Sequence, residues 1–290
     1  VVTDVQQRLI HLKDQYATLQ IMVTEQQHKG LTAARNRGFE TARGEIISFI
    51  DDDVVVTDTW LQEIVNTFNI SSDIGGVSGP TIIPEGMSQN RDILAFQKNS
   101  SGSGFWAIVG KIYAYFVLEN NPNTIGKIYK SGAFSLGSNF KESTQIEQPF
   151  DVDYLEACNM NFRKNIIDTI VTFSPEYLGI VDWSEPDLAF RVKKAGYRLV
   201  YNPKAVVNHC ISQKGVFEQR GNGSCQRMIN FVHFYFKWNR LNLEKAVRFG
   251  FNLLFQNLYW CYKFVQTGDY NWLTGIWGTM LGLGGQLCKW

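Results

Sequence analysis

Three aspartates stand in a row in ISFIDDDVVVTDTW, Ile47 to Trp60, directly behind an apolar run. Side by side they repel: at an effective dielectric of ~20, two unit charges about 4 Å apart cost roughly 4 kcal/mol. A hard divalent cation with oxygen ligands, Mg2+ or Mn2+, offsets that repulsion and also takes up phosphate oxygens. Alternate residues of an extended chain face the same way, so Asp51 and Asp53 are expected to share one site while Asp52 turns aside. The plain alternative is a solvated acidic loop that caps the next helix.

Two further stretches carry groups that could work with such a site. In VDWSEPDLAFRV, Ser184 followed three residues later by Asp187 reads as a capping box, and Pro186 suits a first helical turn. Acids at a helix N-terminus need no catalytic explanation. Yet Asp182, Glu185 and Asp187 fall within six residues, and one carboxylate at a cleft edge has the chemistry of a general base. In KAVVNHC, His209 ends a β-branched strand. A lone histidine is usually packing or surface, and gains interest as an extra ligand for a metal that carboxylates already hold. Tyr113, Tyr115, Phe116 and Tyr129 offer ring faces to sugars or to a lipid-linked acceptor, with core packing the commoner use.

The elements that must position these residues follow from periodicity. VQQRLIHLKDQYATL has helical spacing and QIMVTEQ reads as a short strand. GLTAARNRGFETARG is a helix bounded by glycines, and EIISFI a buried strand ending at the acids. DTWLQEIVNTF resumes helical spacing with Thr57 or Asp58 as the expected N-cap, and IGGVSGPTII is a strand. This alternation predicts an α/β layer with a parallel sheet, in which ligands lie beyond the carboxyl ends of strands. From about Met87 to Phe150 the pattern fades into Gly-, Ser- and Asn-rich loops. VDYLEACNMNFRKNII restores order. EPDLAFRVKKAGYRLVYNPKAVVNH reads as helix, turn at Gly196, strand, turn at Asn202, strand. Beyond Gly221 the chain becomes helical and heavily aromatic, which divides it into an α/β part over 1–215 and a helical extension over 216–290.

Composition narrows the classes. The 290 residues, 44% hydrophobic, are enough for one large or two small domains. A net charge of +1 with no long basic block gives no sign of a nucleic-acid partner. Five scattered cysteines without a C-x-x-C pair argue against a disulfide framework or structural zinc and fit a reducing, cytoplasmic compartment. The first residue is Val1, with no signal peptide pattern, so the opening is expected to be cut.

Taken in order, GLTAARNRGFETARGEIISFIDDDVVVTDTWLQEIV, VDYLEACNMNFRKNII and FSPEYLGIVDWSEPDLAFRVKKAGYRLVYNPKAVVNH resemble the family-2 glycosyltransferases of the GT-A fold. The resemblance spans about Val23 to His209, with a gap at the loop-rich middle. It implies a GT-A-type, Rossmann-like, mostly parallel mixed sheet flanked by helices, with the aromatic-rich helical extension behind it. It implies an inverting transfer of sugar from a UDP-, GDP- or dTDP-sugar to a hydroxyl of a glycan, polysaccharide or lipid-linked sugar, with Mn2+ or Mg2+. Carried over by position, Asp53 is the metal ligand, with His209 accessory to it. Lys29, Gly30, Arg35, Asp51 and Asp52 fall on the nucleotide-sugar side. Glu185 falls on the base position, where Asp is commoner, with Asp182 in reserve. Cys158, Asn159, Met160 and Trp183 fall on the acceptor and donor-sugar loop, and Ala157 replaces a family glycine. The family's opening strand and helix have no counterpart, which predicts a nucleotide pocket lacking one wall and poor activity.

Two rival readings use the same residues. DDDVV also fits an aspartate-nucleophile phosphatase of the haloacid-dehalogenase type, with Asp51 as nucleophile and Asp53 as acid. A non-catalytic membrane-surface scaffold would keep the fold without the chemistry. AVRFGFNLLFQNLYWCYKF is too polar to span a bilayer, but suits an interfacial helix at the inner face of a plasma membrane, or one packed on the α/β part.

Overall fold

The helical spacing behind Gly30 forms α1, Leu31–Thr41, whose buried residues Thr32, Arg35 and Phe39 lie on one face. The structure is a computed structural model that describes residues 12, 20–22, 24, 30–84, 102–135, 137–139, 141–170, 172–177, 179, 183–210 and 223–287. The expected helix before residue 20 lies, apart from Leu12, outside the described residues; of the expected QIMVTEQ strand, Gln20, Ile21, Met22 and Thr24 are described and belong to no strand. The apolar run before the acids is β1, Ile46–Phe49, and the valines after them are β2, Val54–Val56. Helix α2, Trp60–Ile70, buries Trp60, Ile64, Thr67 and Phe68, a helical stripe. Its N-cap is Thr59 rather than Thr57 or Asp58. The Thr57 hydroxyl donates instead to the Val206 carbonyl at 3.1 Å, tying the loop to the last strand.

The Gly-rich strand is split into β3, Ile74–Ser78, and β4, Thr81–Ile82. A Cβ on Gly79 between them would lie 2.2 Å from the Ala205 carbonyl oxygen, so only glycine lets the two backbones meet there. The middle segment is less irregular than its composition predicts, because Phe105–Phe116 forms α3. Then come β5, Phe150–Asp151, β6, Met160–Arg163, and α4, Lys164–Ile170. Helix α5 is Ser184–Lys194, β7 is Arg198–Tyr201 and β8 is Val207–His209. Three helices follow: α6, Ser224–Trp238, α7, Leu243–Thr267, and α8, Thr274–Leu287.

Five strands make the main sheet, in the order β1-β6-β3-β7-β5. The sheet is mixed, with a correction to its expected parallel character. β1, β3 and β7 run one way, but β6 inserts antiparallel between β1 and β3, and β5 flanks β7 antiparallel. Among the described strands of this sheet, only β3 and β7 pair in parallel. Side chains alternate across this sheet: Leu199 and Tyr201 enter one core, with α5 and β6, while Val200 enters another, under α2. Burial on both faces is the mark of an α/β layer. A second, three-stranded sheet, β2-β8-β4, was not expected from the sequence.

The aromatic extension is not a separate body. Trp183 and Tyr177 share a core with Phe231, Phe234, Tyr235 and Phe249 of the last helices. Phe134 and Trp183 stack at 4.5 Å. Helices α6 and α8 approach closely enough that a Cβ on Gly278 would lie 2.2 Å from the Cys225 carbonyl oxygen. Among the described residues, no helix is long and apolar enough to cross a membrane.

Candidate functional site

The small sheet explains how the acids meet the histidine. After β1 the chain turns tightly, with the Val54 amide donating to the Asp51 carbonyl at 3.2 Å. β2 then pairs antiparallel with β8 so that Val54 stands opposite His209. The Cys210 amide donates to the Asp53 carbonyl at 2.8 Å, locking the register. The result sets Asp53 Oδ1 3.1 Å from His209 Nε2. Asp51 is near as well, its carboxylate oxygen, Cys158 Sγ and a His209 nitrogen all within 4.8 Å of one another. Asp52 is exposed while its two neighbours are partly buried. Burial raises the Asp51 pKa; Arg35 and His209 oppose that shift, and Asp53 and Asp52 reinforce it. A carboxylate that is penalised by burial and by two like charges gains from a cation, so two carboxylates and an imidazole here fit a divalent metal.

The second carboxylate is close by in the electrostatic sense. Arg35, buried on α1, reaches across to Glu185 in the first turn of α5 and makes a short hydrogen-bonded ion pair with it. The same guanidinium also acts on Asp51, so Arg35 links the two acidic groups. Next to it, Asn36 clamps the segment before α5: its Nδ2 donates to the Phe173 carbonyl at 2.9 Å and its Oδ1 accepts from the Phe173 amide at 3.0 Å. Thr32 donates to the Ser184 hydroxyl at 3.3 Å. Helix α1 therefore seats the start of α5 through Thr32 and Arg35, and holds the segment before it through Asn36.

Residues 6–131 match the model of Glycosyl transferase family 2. The match takes in α1, β1, the aspartate turn and α2, less than half of the chain. Two curated relatives carry transferase names. Glucosyl-dolichyl phosphate glucuronosyltransferase of Haloferax volcanii is 29% identical over 59 residues, 20% of this chain and 18% of that protein. Putative glycosyltransferase EpsH of Bacillus subtilis is 34% identical over 65 residues, 22% of this chain and 19% of that protein. The matches thus span less than a fifth of either relative's length. The crystal structure of GalNAc-T7 with UDP, GalNAc and Mn2+ superposes with a TM-score of 0.50 at 12% identity, covering 79% of this chain and 38% of that one. At that identity the likeness is one of fold.

Several positions that the family resemblance assigned to substrate are spent elsewhere. Asn159 is fully buried: it accepts from Trp60 Nε1 at 3.0 Å and donates to the Ala205 carbonyl at 3.0 Å. Met160 lies in the core, and Trp183 in the aromatic cluster under α6. These three hold the loop rather than face a ligand. Arg35 is turned to Glu185 rather than outward. Gly30, at φ 136°, is the N-cap of α1; Lys29 and Asp182 lie outside the described residues. The expected capping box does not form, because Trp183 is the N-cap and Asp187 is fully buried. Asp187 accepts from Trp238 Nε1 at 2.8 Å and Tyr177 at 3.2 Å, and pairs with Arg191 and Lys237, each at 3.0 Å. The aromatic candidates serve packing: Phe116 stacks on Phe251, Tyr113 meets Phe255, and Tyr129 is buried. Tyr115 keeps an exposed ring beside Arg248.

Proposed function

We propose that this chain transfers a sugar, with inversion, from a nucleotide sugar to a hydroxyl acceptor. The observation that carries the reading is the convergence of Asp51 and Asp53, from the turn after β1, on His209 at the end of β8. Asp53 and His209 would hold Mn2+ or Mg2+ there with Asp51 beside them, and the bound cation supplies positive charge to the leaving diphosphate. UDP and Mn2+ in the GalNAc-T7 structure support a nucleotide donor and a divalent ion. Glu185 is the base: its carboxylate takes the acceptor's hydroxyl proton as that oxygen attacks the anomeric carbon from the face opposite the departing diphosphate. Arg35 positions Glu185 and couples it to the acidic turn. The family match supports this reading over an aspartate-nucleophile phosphatase.

A lipid-linked acceptor suits the chain best. The Haloferax relative is named for a dolichyl phosphate-linked sugar, and helix α7 keeps a run of apolar side chains in solvent, including Leu254, Leu258 and Val265. Peripheral contact of the C-terminal helices with a membrane, on the cytoplasmic side, follows as part of the same proposal. A thermal-shift panel of UDP, GDP, dTDP and CMP, each with and without Mn2+, tests the donor site. One nucleoside diphosphate is expected to raise the melting temperature only with metal, and Asp53→Ala to abolish that rise. No shift with any nucleotide overturns the reading. A shift that survives Asp53→Ala moves the protein toward a scaffold role.

A further inference from the structure

We propose that Asp51, Cys158 and His209 form a second coordination mode at this site, one that takes Zn2+ through a cysteine thiolate. The proposal rests on the cluster itself and stands whether or not the chain transfers sugar. The two nitrogens of His209 face different partners: Nε2 lies 3.1 Å from Asp53 Oδ1, and Nδ1 lies 3.8 Å from Cys158 Sγ. A tetrahedral zinc, with sulfur at about 2.3 Å and imidazole nitrogen at about 2.0 Å, places those two ligands roughly 3.5 Å apart. The observed separation needs only a small closure, and the Asp51 oxygen is already within 4.8 Å of both groups.

The surroundings complete the case. A histidine that ligates a metal through one nitrogen commonly gives the other N–H to a carboxylate, which fixes the ring; Asp53 stands in that place. Cys158 is only 5% exposed, so its sulfur is sheltered in the loop before β6 and is held at the site by the buried Asn159 beside it. A thiolate selects Zn2+ over Mn2+ and Mg2+, which favour oxygen. On binding, a zinc–sulfur bond forms and the S–H bond breaks. The proton leaves to bulk solvent, the fourth position is open to water, and no electron changes hands. Asp51, Asp53 and His209 Nε2 serve the oxygen-rich mode, whereas Asp51, Cys158 and Nδ1 serve the sulfur mode. The sulfur mode takes Asp51 and keeps Nε2–H directed at Asp53, so Zn2+ should displace Mn2+.

The test uses the full chain loaded with Co2+ as an optical stand-in. Wild type is expected to show a thiolate-to-cobalt charge-transfer band that one equivalent of Zn2+ bleaches. Cys158→Ala should remove the band, while Cys210→Ser and Cys261→Ser keep it. Asp53→Asn should weaken Zn2+ binding by about 10- to 100-fold while the band persists at saturation. No band in wild type, or a band that survives Cys158→Ala, overturns the proposal and leaves Cys158 a packing residue. Should Cys158→Ala fail to fold by circular dichroism, zinc K-edge absorption of the wild type decides. A sulfur at about 2.3 Å supports the site, and a shell of nitrogen and oxygen alone overturns it. Mn2+-dependent UDP binding by the wild type is measured in parallel. A cobalt band without nucleotide binding counts against the donor site only; nucleotide binding without the band counts against the zinc mode only.

Discussion

Within the aspartate triplet, position decides role. Asp51 and Asp53 both lie beside His209 while Asp52 stays in solvent, although the local backbone is a turn and not the extended strand whose alternation suggests such a split. Asp53→Asn is therefore expected to abolish Mn2+-dependent nucleotide binding, and Asp52→Asn to leave it within about twofold, since exposed charges contribute little. Isothermal titration of both variants checks this; equal losses would end the case for unequal roles. Glu185→Gln removes the proposed base but keeps the shape of the side chain. The expected outcome is a kcat lower by about 10²- to 10⁴-fold with donor affinity retained, read in a sugar-transfer assay. The order of the motifs pointed to Asp51, Asp53 and His209, which the structure brings together. The pairing of Arg35 with Glu185 was not legible in the sequence, because a contact between residues 150 positions apart leaves no local pattern.

Helices and strands were legible where one face is buried and the other is not. α1, α2 and α5 announce themselves by apolar or polar stripes at helical spacing, and β1 by its run into the acids. α3 was missed because FWAIVGKIYAYF is apolar almost all round, which blurs the helical period. The β2-β8-β4 sheet was missed because its strands have only two or three residues, and their partners lie far along the chain. Asp187 shows the same limit: read locally it is a cap, but in space it joins α5 to the end of α6 through Trp238 and Lys237. Asp187→Ala removes the acceptor that Trp238, Tyr177, Arg191 and Lys237 share, while Arg191 keeps the Ile170 and Thr172 carbonyls and Lys237 keeps Glu176; it is expected to destabilise the fold by about 1–3 kcal/mol, measured by urea unfolding. A second link joins the segment before α5 to α6 at the surface. The Lys237 hydrogen bond, and after it that from His233, holds the Glu176 carboxyl down at about 2, well below its ordinary 4.5. A depressed acid stabilises the fold above its unfolded pKa, so this contribution is present above pH 4.5 and is lost as pH falls toward about 2. Because Glu176 is more than half exposed, the effect is small. Glu176→Gln should flatten the acid limb of the stability curve in that window, and an unchanged limb would show that the link contributes nothing.

At the scale of the whole molecule, the α/β part and the C-terminal helices share one aromatic core, yet they leave apolar surface uncovered on the outside. On α7, Leu243, Val247, Leu254, Leu258, Tyr262 and Val265 are all exposed, and at 3.6 residues per turn they fall within an arc of about 100°. The inner face of that helix carries Phe249, Leu253 and Trp260. On α3, which packs against α7, Phe105, Ile108, Ile112 and Tyr115 make a second exposed stripe. Apolar stripes that mix leucine with aromatics, and that have Lys245, Arg248 and Lys263 on the same helix as one of them, match the chemistry of a lipid interface. The proposed lipid-linked acceptor gives such a surface a purpose: it would hold the site at the membrane where that acceptor lies. Burying two large apolar side chains contributes about 1.5–3 kcal/mol each. Replacing Leu258 and Val265 together by Glu should therefore lower partition onto anionic vesicles by about a hundredfold or more, read by co-sedimentation. Both side chains point to solvent, so circular dichroism of the free protein should not change. If the double variant binds vesicles as the wild type does, or if the wild type binds none, the stripe is not a membrane surface and the acceptor must reach Glu185 from solution.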